Sequence, residues 1–159
     1  MNTADILKYG HRTFTGALEG IPDSDWDTPG VCGVWSVKDI VAHLASYEQF
    51  LIEILNNLID PNASIASLTG LAAGYDAFNN AEVSKRASKT ADEVLQEYND
   101  GYEQGQRLLA TIPTEKQDAE GSLPWYGDKY DLQDFIVYTY YGHKREHAAQ
   151  LDIFRDRAR

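Results

Sequence analysis

The fold class is decided by residues 36–58, SVKDIVAHLASYEQFLIEILNNL. Ser36 followed three residues later by Asp39 is a capping box, in which the two side chains accept hydrogen bonds from the backbone at a helix start. Apolar side chains then recur at alternating steps of three and four residues, the spacing of a buried helix seam. They are Val37, Ile40, Leu44, Tyr47, Leu51, Ile54 and Leu58. The stretch therefore predicts one long helix of a helical bundle.

Three further helices are predicted from the same kinds of signal. The other two capping boxes are Thr90 to Glu93 and Asp131 to Asp134. Each precedes an apolar run with helical spacing, the first reaching Pro113 and the second reaching residue 154. A first helix around residues 6–18 is expected to end near Gly20. Residues 1–159 are therefore predicted to form one all-α domain, a four-helix bundle.

The connection between the second and third helices is longer than a turn. Residues 60–90 exceed the roughly 2 to 8 residues that usually join bundle helices. We expect a long crossover here, with a short fifth helix over about residues 74–89. No internal repeat and no long strand-like alternation is present.

The charge, the cysteine content and the N-terminal residues bear on the partners and the location of the protein. The 159 residues include 14 Lys and Arg against 25 Asp and Glu, giving a formal charge of -11. This charge disfavours nucleic acid and anionic membrane surfaces as partners. The single cysteine, Cys32, lacks nearby basic residues that would activate it, and the N-terminus lacks the pattern of a signal peptide. A cytoplasmic location is therefore expected.

Three histidines fall on predicted buried helix faces. His143 and His147 are four residues apart, so both rings project from one face and can approach one ion. His43 lies on the seam of the second helix. Three neutral imidazoles with one open coordination position suit a divalent metal such as Zn²⁺ or Ni²⁺. The alternatives are a hydrogen-bonded histidine cluster in the core, or surface positions if the helices have a different phase.

The apolar stripe of the last helix becomes polar at its centre. At 100° per residue it passes through Thr139, Gly142, His143, Glu146, His147 and Gln150. Glu146 is predicted to orient a ligand imidazole or to carry protons, the alternative being an ion pair with Arg12 or Lys144. His11 is either a fourth ligand or a packed core histidine. Glu48 lies about 140° around the helix from His43 and is expected outside the ligand set.

Glycines and aromatic residues suggest a cavity near this cluster. Gly101, Gly105 and Gly142 lie on helix seams, where they indicate either close helix contact or a cavity above the metal, and we favour the cavity. The aromatic side chains expected to line it are Trp35, Tyr47, Trp125, Tyr126, Tyr138 and Tyr141. The alternative is that they belong to the core or its rim.

Three segments resemble the DinB-like superfamily. They are residues 35–44, WSVKDIVAHL, residues 78–83, FNNAEV, and residues 143–151, HKREHAAQL. Residues 124–126, PWY, resemble the ClbS/DfsB family within it. The resemblance implies an up-up-down-down four-helix bundle, often a homodimer. It also implies a divalent ion held by His43, His143 and His147.

Three functions are consistent with these residues. The first is a metal-dependent enzyme, a thiol transferase or a hydrolase, that adds a low-molecular-weight thiol or water to a small electrophile in detoxification or resistance. The thiol is suggested by the thiol-dependent enzymes of the superfamily. The second is a non-catalytic protein of ClbS/DfsB type that binds and sequesters a small molecule. The third is a structural metal in a protein that acts through protein interactions.

Overall fold

The computed structural model describes residues 2–157, and over these residues the chain is helical, with no strand beyond an isolated bridge between Cys32 and Trp35. The helices are α1 (Thr3–Leu18), α2 (Val37–Ile59), α3 (Ala66–Leu71), α4 (Tyr75–Lys85), α5 (Ala91–Leu109), α6 (Thr114–Gln117), α7 (Leu132–Ile136) and α8 (His143–Arg157). A π-helical segment, Val137–Gly142, joins α7 to α8 and makes them one long helix. The all-α prediction is confirmed, with the four long helices at their expected places.

The chain divides into two compact units. One unit is Gly20–Gly105, and the other comprises Met1–Glu19 and Gln106–Arg159. The single domain over residues 1–159 stays a prediction.

Helix α2 is the most deeply buried element of the Gly20–Gly105 unit. Its capping box forms as predicted: Asp39 N–H donates to Ser36 Oγ at 3.2 Å, and Ser36 N–H donates to Asp39 Oδ2 at 2.9 Å. Every residue of the predicted seam is buried. Although α2 is rich in apolar residues, no helix in the described part of the chain is both long and apolar enough to cross a membrane.

The crossover contains two short helices, α3 and α4, and both pack against α2. Helix α4 confirms the predicted fifth helix, whereas α3 was not predicted. Phe78 on α4 is buried, and its ring lies 6.2 Å from that of Tyr47. A Cβ at Gly70 would come within 2.7 Å of the Phe78 ring. Glycine at this position therefore allows α3 to approach α4.

Arg86, at the C-terminal end of α4, is the centre of an ion-pair network. Its Nη1 lies 2.9 Å from Glu82 Oε2, and its Nη2 lies 2.7 Å from Glu97 Oε1 on α5. Lys89 also pairs with Glu97, at 2.6 Å. Because its guanidinium holds carboxylates from both α4 and α5, Arg86 fixes the end of the crossover.

The glycines of α5 are explained by helix contact. A Cβ built on Gly101 would lie 2.7 Å from Glu48 Cβ, whereas one on Gly105 would meet Leu51 Cδ2 at 3.5 Å, an ordinary contact. The predicted cavity at Gly101 is therefore wrong, since the base of the Glu48 side chain on α2 occupies the space that a side chain at position 101 would need. Gly142 is exposed, and a Cβ built on it would lie 3.4 Å from the Val137 carbonyl oxygen.

In the other unit, α1 packs against α8 and the π-helical segment. Gly10 allows this contact, because a Cβ there would lie 3.3 Å from the Tyr141 Cα. Near the end of α8, Arg155 donates to the carbonyls of Ala17 and Glu19, both at 3.3 Å. Helix α1 ends as predicted, with Gly20 at a φ of 77°.

The π-helical segment changes the phase of the last helix. Tyr140 and Lys144 are buried, each 1% exposed, whereas Gly142 and Glu146 are exposed. The predicted stripe assumed 100° per residue throughout, but a π-helical segment turns less per residue. The inward placement of Gly142 and Glu146 is therefore wrong, while that of His147 is correct. Tyr138 is 67% exposed and cannot line a buried cavity.

Candidate metal centre

The histidine pair occupies the first turns of α8. The Nε2 atoms of His143 and His147 lie 2.9 Å apart, and the ring centroids lie 4.7 Å apart. His147 is buried and His143 is partly buried. Ligand nitrogens around a tetrahedral zinc, at metal–nitrogen distances of about 2.0–2.1 Å, are roughly 3.3 Å apart. A small rotation of either ring would bring the pair to that separation.

Each ring also makes a hydrogen bond within the last helix. His147 Nδ1 lies 2.8 Å from Gln150 Oε1, and the ring of His143 bonds the backbone of Thr139 in a way that favours its charged form. Carbonyl oxygens only accept, so each ring donates in these bonds. When both rings are neutral, this leaves the Nε2 lone pairs facing each other, an arrangement that a cation stabilises. Acceptors that orient the distant nitrogen are typical of metal-binding histidines.

Both rings are held neutral by their surroundings. Burial lowers the pKa of His143 to about 3, with further lowering from the neighbouring His147 and Lys144. Burial also lowers the pKa of His147, opposed by its hydrogen bond to Gln150 and by the charge of Glu146. At neutral pH the pair therefore offers the unprotonated nitrogens that a metal ion requires.

His43 is the buried histidine of α2. It is 2% exposed, and its ring packs between those of Trp35 and Tyr47, each with centroids 4.9 Å away. Burial, with the nearby Tyr75, raises the pKa of Tyr47 to about 12, so this side chain is a neutral phenol. Two of the predicted aromatic residues thus enclose a predicted ligand.

His43, His143 and His147 each offer a ligand atom, and these atoms lie within 4.8 Å of one another. Small side-chain movements would bring these atoms to the separation of roughly 3.3 Å found around one tetrahedral ion. The structure thus brings together the three histidines predicted from the sequence as a possible metal site. His11 does not belong to this group, and burial together with Lys144 lowers its pKa to about 4. His11 therefore fits the packed core histidine that was the alternative to a fourth ligand.

The remaining predicted site residues lie in different surroundings. Glu146 is exposed, and its charge raises the pKa of the adjacent His147. Trp125 and Tyr126 pack edge-on against Phe135, with ring centroids 5.3 and 4.9 Å away, and Trp125 is 38% exposed. The ring of Tyr141 lies under the guanidinium of Arg145, 5.4 Å from its centroid. Lining of a ligand pocket by these aromatic residues stays a prediction, as does a catalytic role for Glu146.

Sequence reasoning missed two buried charged residues. Lys144, which stands between the two histidines in the sequence of α8, is 1% exposed. A regular helical period does not predict this burial, because the π-helical segment shifts the buried face. Glu48 is also 1% exposed, since α2 is buried on nearly every side. Its charge contributes to raising the pKa of the buried Tyr98, after burial itself. Gly101, which accommodates Glu48, was the available sequence signal.

Comparison with known proteins gives the family. The sequence model of the DinB superfamily matches residues 6–151, which include all three histidines. The comparisons with curated proteins and with solved structures found no match. Membership of the ClbS/DfsB family within the superfamily therefore stays a prediction. Because the match covers most of its length, the chain belongs to the DinB superfamily.

Proposed function

We propose that this protein is a metal-dependent enzyme in which His43, His143 and His147 bind a divalent ion and leave one coordination position open. The observation that carries the proposal is the pair of neutral imidazoles whose Nε2 atoms face each other at 2.9 Å. The ligand atom of His43 lies within 4.8 Å of the pair. Imidazole ligands favour Zn²⁺ or Ni²⁺ among the common cellular cations.

The proposed reaction is the addition of a low-molecular-weight thiol or of water to a small electrophile. When bound, the ion would lower the pKa of the thiol or water and polarise the electrophile. In the addition the nucleophile loses its proton and bonds to a carbon of the electrophile, the π bond at that carbon breaks, and the electron pair released takes up a proton. Glu146 is exposed beside His147, a position suited to taking the proton from the nucleophile and returning one to the product by exchange with bulk water.

The side chains around the histidines would hold the ligands and limit access of water. Gln150 and the Thr139 backbone fix the orientation of the α8 rings. Trp35 and Tyr47 cover the ring of His43. A site enclosed in this manner strengthens electrostatic interactions with the reacting groups. The homodimer and the cytoplasmic location stay predictions.

The first test is elemental analysis of the purified protein. We expect near-stoichiometric Zn or Ni in the wild type, and its loss in each of H43A, H143A and H147A. H11A is the matched control, because His11 is a partly buried histidine outside the group, and it should retain the metal. Helicity should be preserved in all four variants. A wild type that binds no metal after reconstitution would refute the proposal.

A second test separates thiol from water as the nucleophile. The metal-loaded protein is incubated with an α,β-unsaturated ketone, with and without glutathione, and products are identified by mass spectrometry. Thiol addition predicts a metal-dependent adduct that forms only with glutathione, whereas hydration proceeds without it. Retention of metal with neither product would favour a structural ion.

A further inference from the structure

The π-helical segment Val137–Gly142 lies immediately before the first histidine of the pair. Such segments are rare and are frequently found at functional sites. In a regular α-helix the amide of His143 would donate to the carbonyl of Thr139, four residues earlier. Here the His143 amide donates instead to the carbonyl of Tyr140. This donor and acceptor are three residues apart, so the Thr139 carbonyl does not receive the His143 amide bond that it would accept in an α-helix.

The Thr139 carbonyl instead bonds the ring of His143. Because the carbonyl only accepts, the bond fixes a ring nitrogen in its protonated form. The other nitrogen, Nε2, points at Nε2 of His147 at 2.9 Å. His147 achieves the same orientation through a side chain, Gln150, one turn later in a regular helix. The two ligands are thus oriented by different means, one of them built into the backbone.

We propose that the π-helical segment is a positioning device for the metal centre, with the Thr139 carbonyl holding His143 in the Nδ1–H tautomer. Thr139 acts through His143 and does not itself touch the ion or substrate. This inference rests on the proposed function, because it assigns the orientation of one of the three ligands. It also predicts a property of the metal-free protein, the tautomer of His143, which can be measured separately.

The test is deletion of Tyr138, a 67% exposed residue within the segment. Removing one residue restores α-helical register while leaving the helix on either side in phase, so that the buried faces of α7 and α8 are kept. The amide of His143 then bonds the Thr139 carbonyl, and the ring must compete with the amide for that acceptor, which weakens its hold on the Nδ1–H tautomer. Y138A is the matched control, since it removes the same side chain without changing the register. Deletion of the exposed Gly142 is the second variant, used if circular dichroism shows that the first does not fold.

Two measurements are made on each variant. Long-range ¹H–¹⁵N spectra of the metal-free protein report the tautomer of His143, and titration with Zn²⁺ against a competing chelator reports affinity. We expect the deletion to lose the Nδ1–H tautomer and to bind Zn²⁺ about 10- to 100-fold more weakly, the usual effect of removing a group that orients a ligand. Y138A should match the wild type in both.

The outcomes separate this inference from the proposed function. A folded deletion variant with the wild-type tautomer, or with wild-type Zn²⁺ affinity, would overturn the positioning role even if the wild type binds metal. A wild type that binds no Zn²⁺ would refute the proposed function. In that case loss of the Nδ1–H tautomer in the deletion variant would still support the role of the π-helical segment in orienting His143. An unchanged tautomer would overturn that role as well.

Discussion

Replacing Gly101 by alanine tests the close contact between α5 and α2. Two effects of opposite sign compete in this variant. Alanine has a higher helix propensity than glycine by about 1 kcal/mol, which favours the variant. Its Cβ, however, would lie 2.7 Å from Glu48 Cβ, an atom close to the backbone that cannot swing away. Inserting a methyl group into a packed contact costs about 1–3 kcal/mol. With so short a contact the cost should lie at the upper end of this range, about 2–3 kcal/mol, and exceed the gain.

We expect G101A to lose about 1–2 kcal/mol of the free energy of unfolding. For a chain of this size, 1 kcal/mol corresponds to about 2–4 °C in melting temperature, so Tm should fall by roughly 2–8 °C. G105A is the matched control in the same helix, because its Cβ would meet only Leu51 Cδ2 at 3.5 Å. There the propensity gain should dominate and raise Tm by up to about 2–4 °C.

The assay is thermal unfolding followed by circular dichroism, with urea titrations of the same three proteins as an independent measure. A shared m-value would show that both variants change stability and not the extent of unfolding. If G101A raised Tm as G105A is expected to, α2 would not occupy the space beside Gly101. That result would restore the cavity that the sequence suggested at this position.

Two further variants test the crossover and the buried histidine of α1. R86A should lower the free energy of unfolding by about 1–3 kcal/mol, because it removes charge-assisted bonds to Glu82 and Glu97, while K85A, at an exposed pair, should stay within about 0.5 kcal/mol. Equal urea midpoints for R86A and wild type would contradict this role of the network. The pKa of His11 is lowered to about 4, against about 6.5 in the unfolded chain, so the unfolded state binds the extra proton in this interval. The contribution of neutral His11 to the free energy of unfolding should therefore be fully present above pH 6.5 and be lost as the pH is lowered toward 4. H11Q should show a smaller fall in its urea midpoint over that range, and an unchanged pH profile would show that His11 is not the group responsible.

Helix starts were predictable because their signals are local. The capping boxes at Ser36 and Asp131 need only residues three apart, and both form as expected. The seam of α2 and the inward position of His43 followed from the same regular period. Helix α3 was missed because its six residues carry no caps or period of their own, and it is held by packing against α2 and α4.

The errors at the site have one main cause, the assumption of a regular α-helix. The π-helical segment depends on how α7 and α8 pack, and no residue of 137–142 is a local signal for it. It moved Lys144 inward and Glu146 outward. The histidine pair was still found, because both members lie after the segment and keep their spacing of four.

The order in which the parts of the chain can pack during synthesis follows from which residues form each of the two units. Residues 20–105 leave the ribosome as one continuous segment and can begin to pack during translation. Helix α1 must wait for its partner in its own unit, since Arg155 bonds the carbonyl of Ala17 across 138 positions. At 5–20 residues per second this delay is on the order of 10 s. The apolar face of α1 thus stays without its α8 partner on the nascent chain until the C-terminal part of the chain has been made.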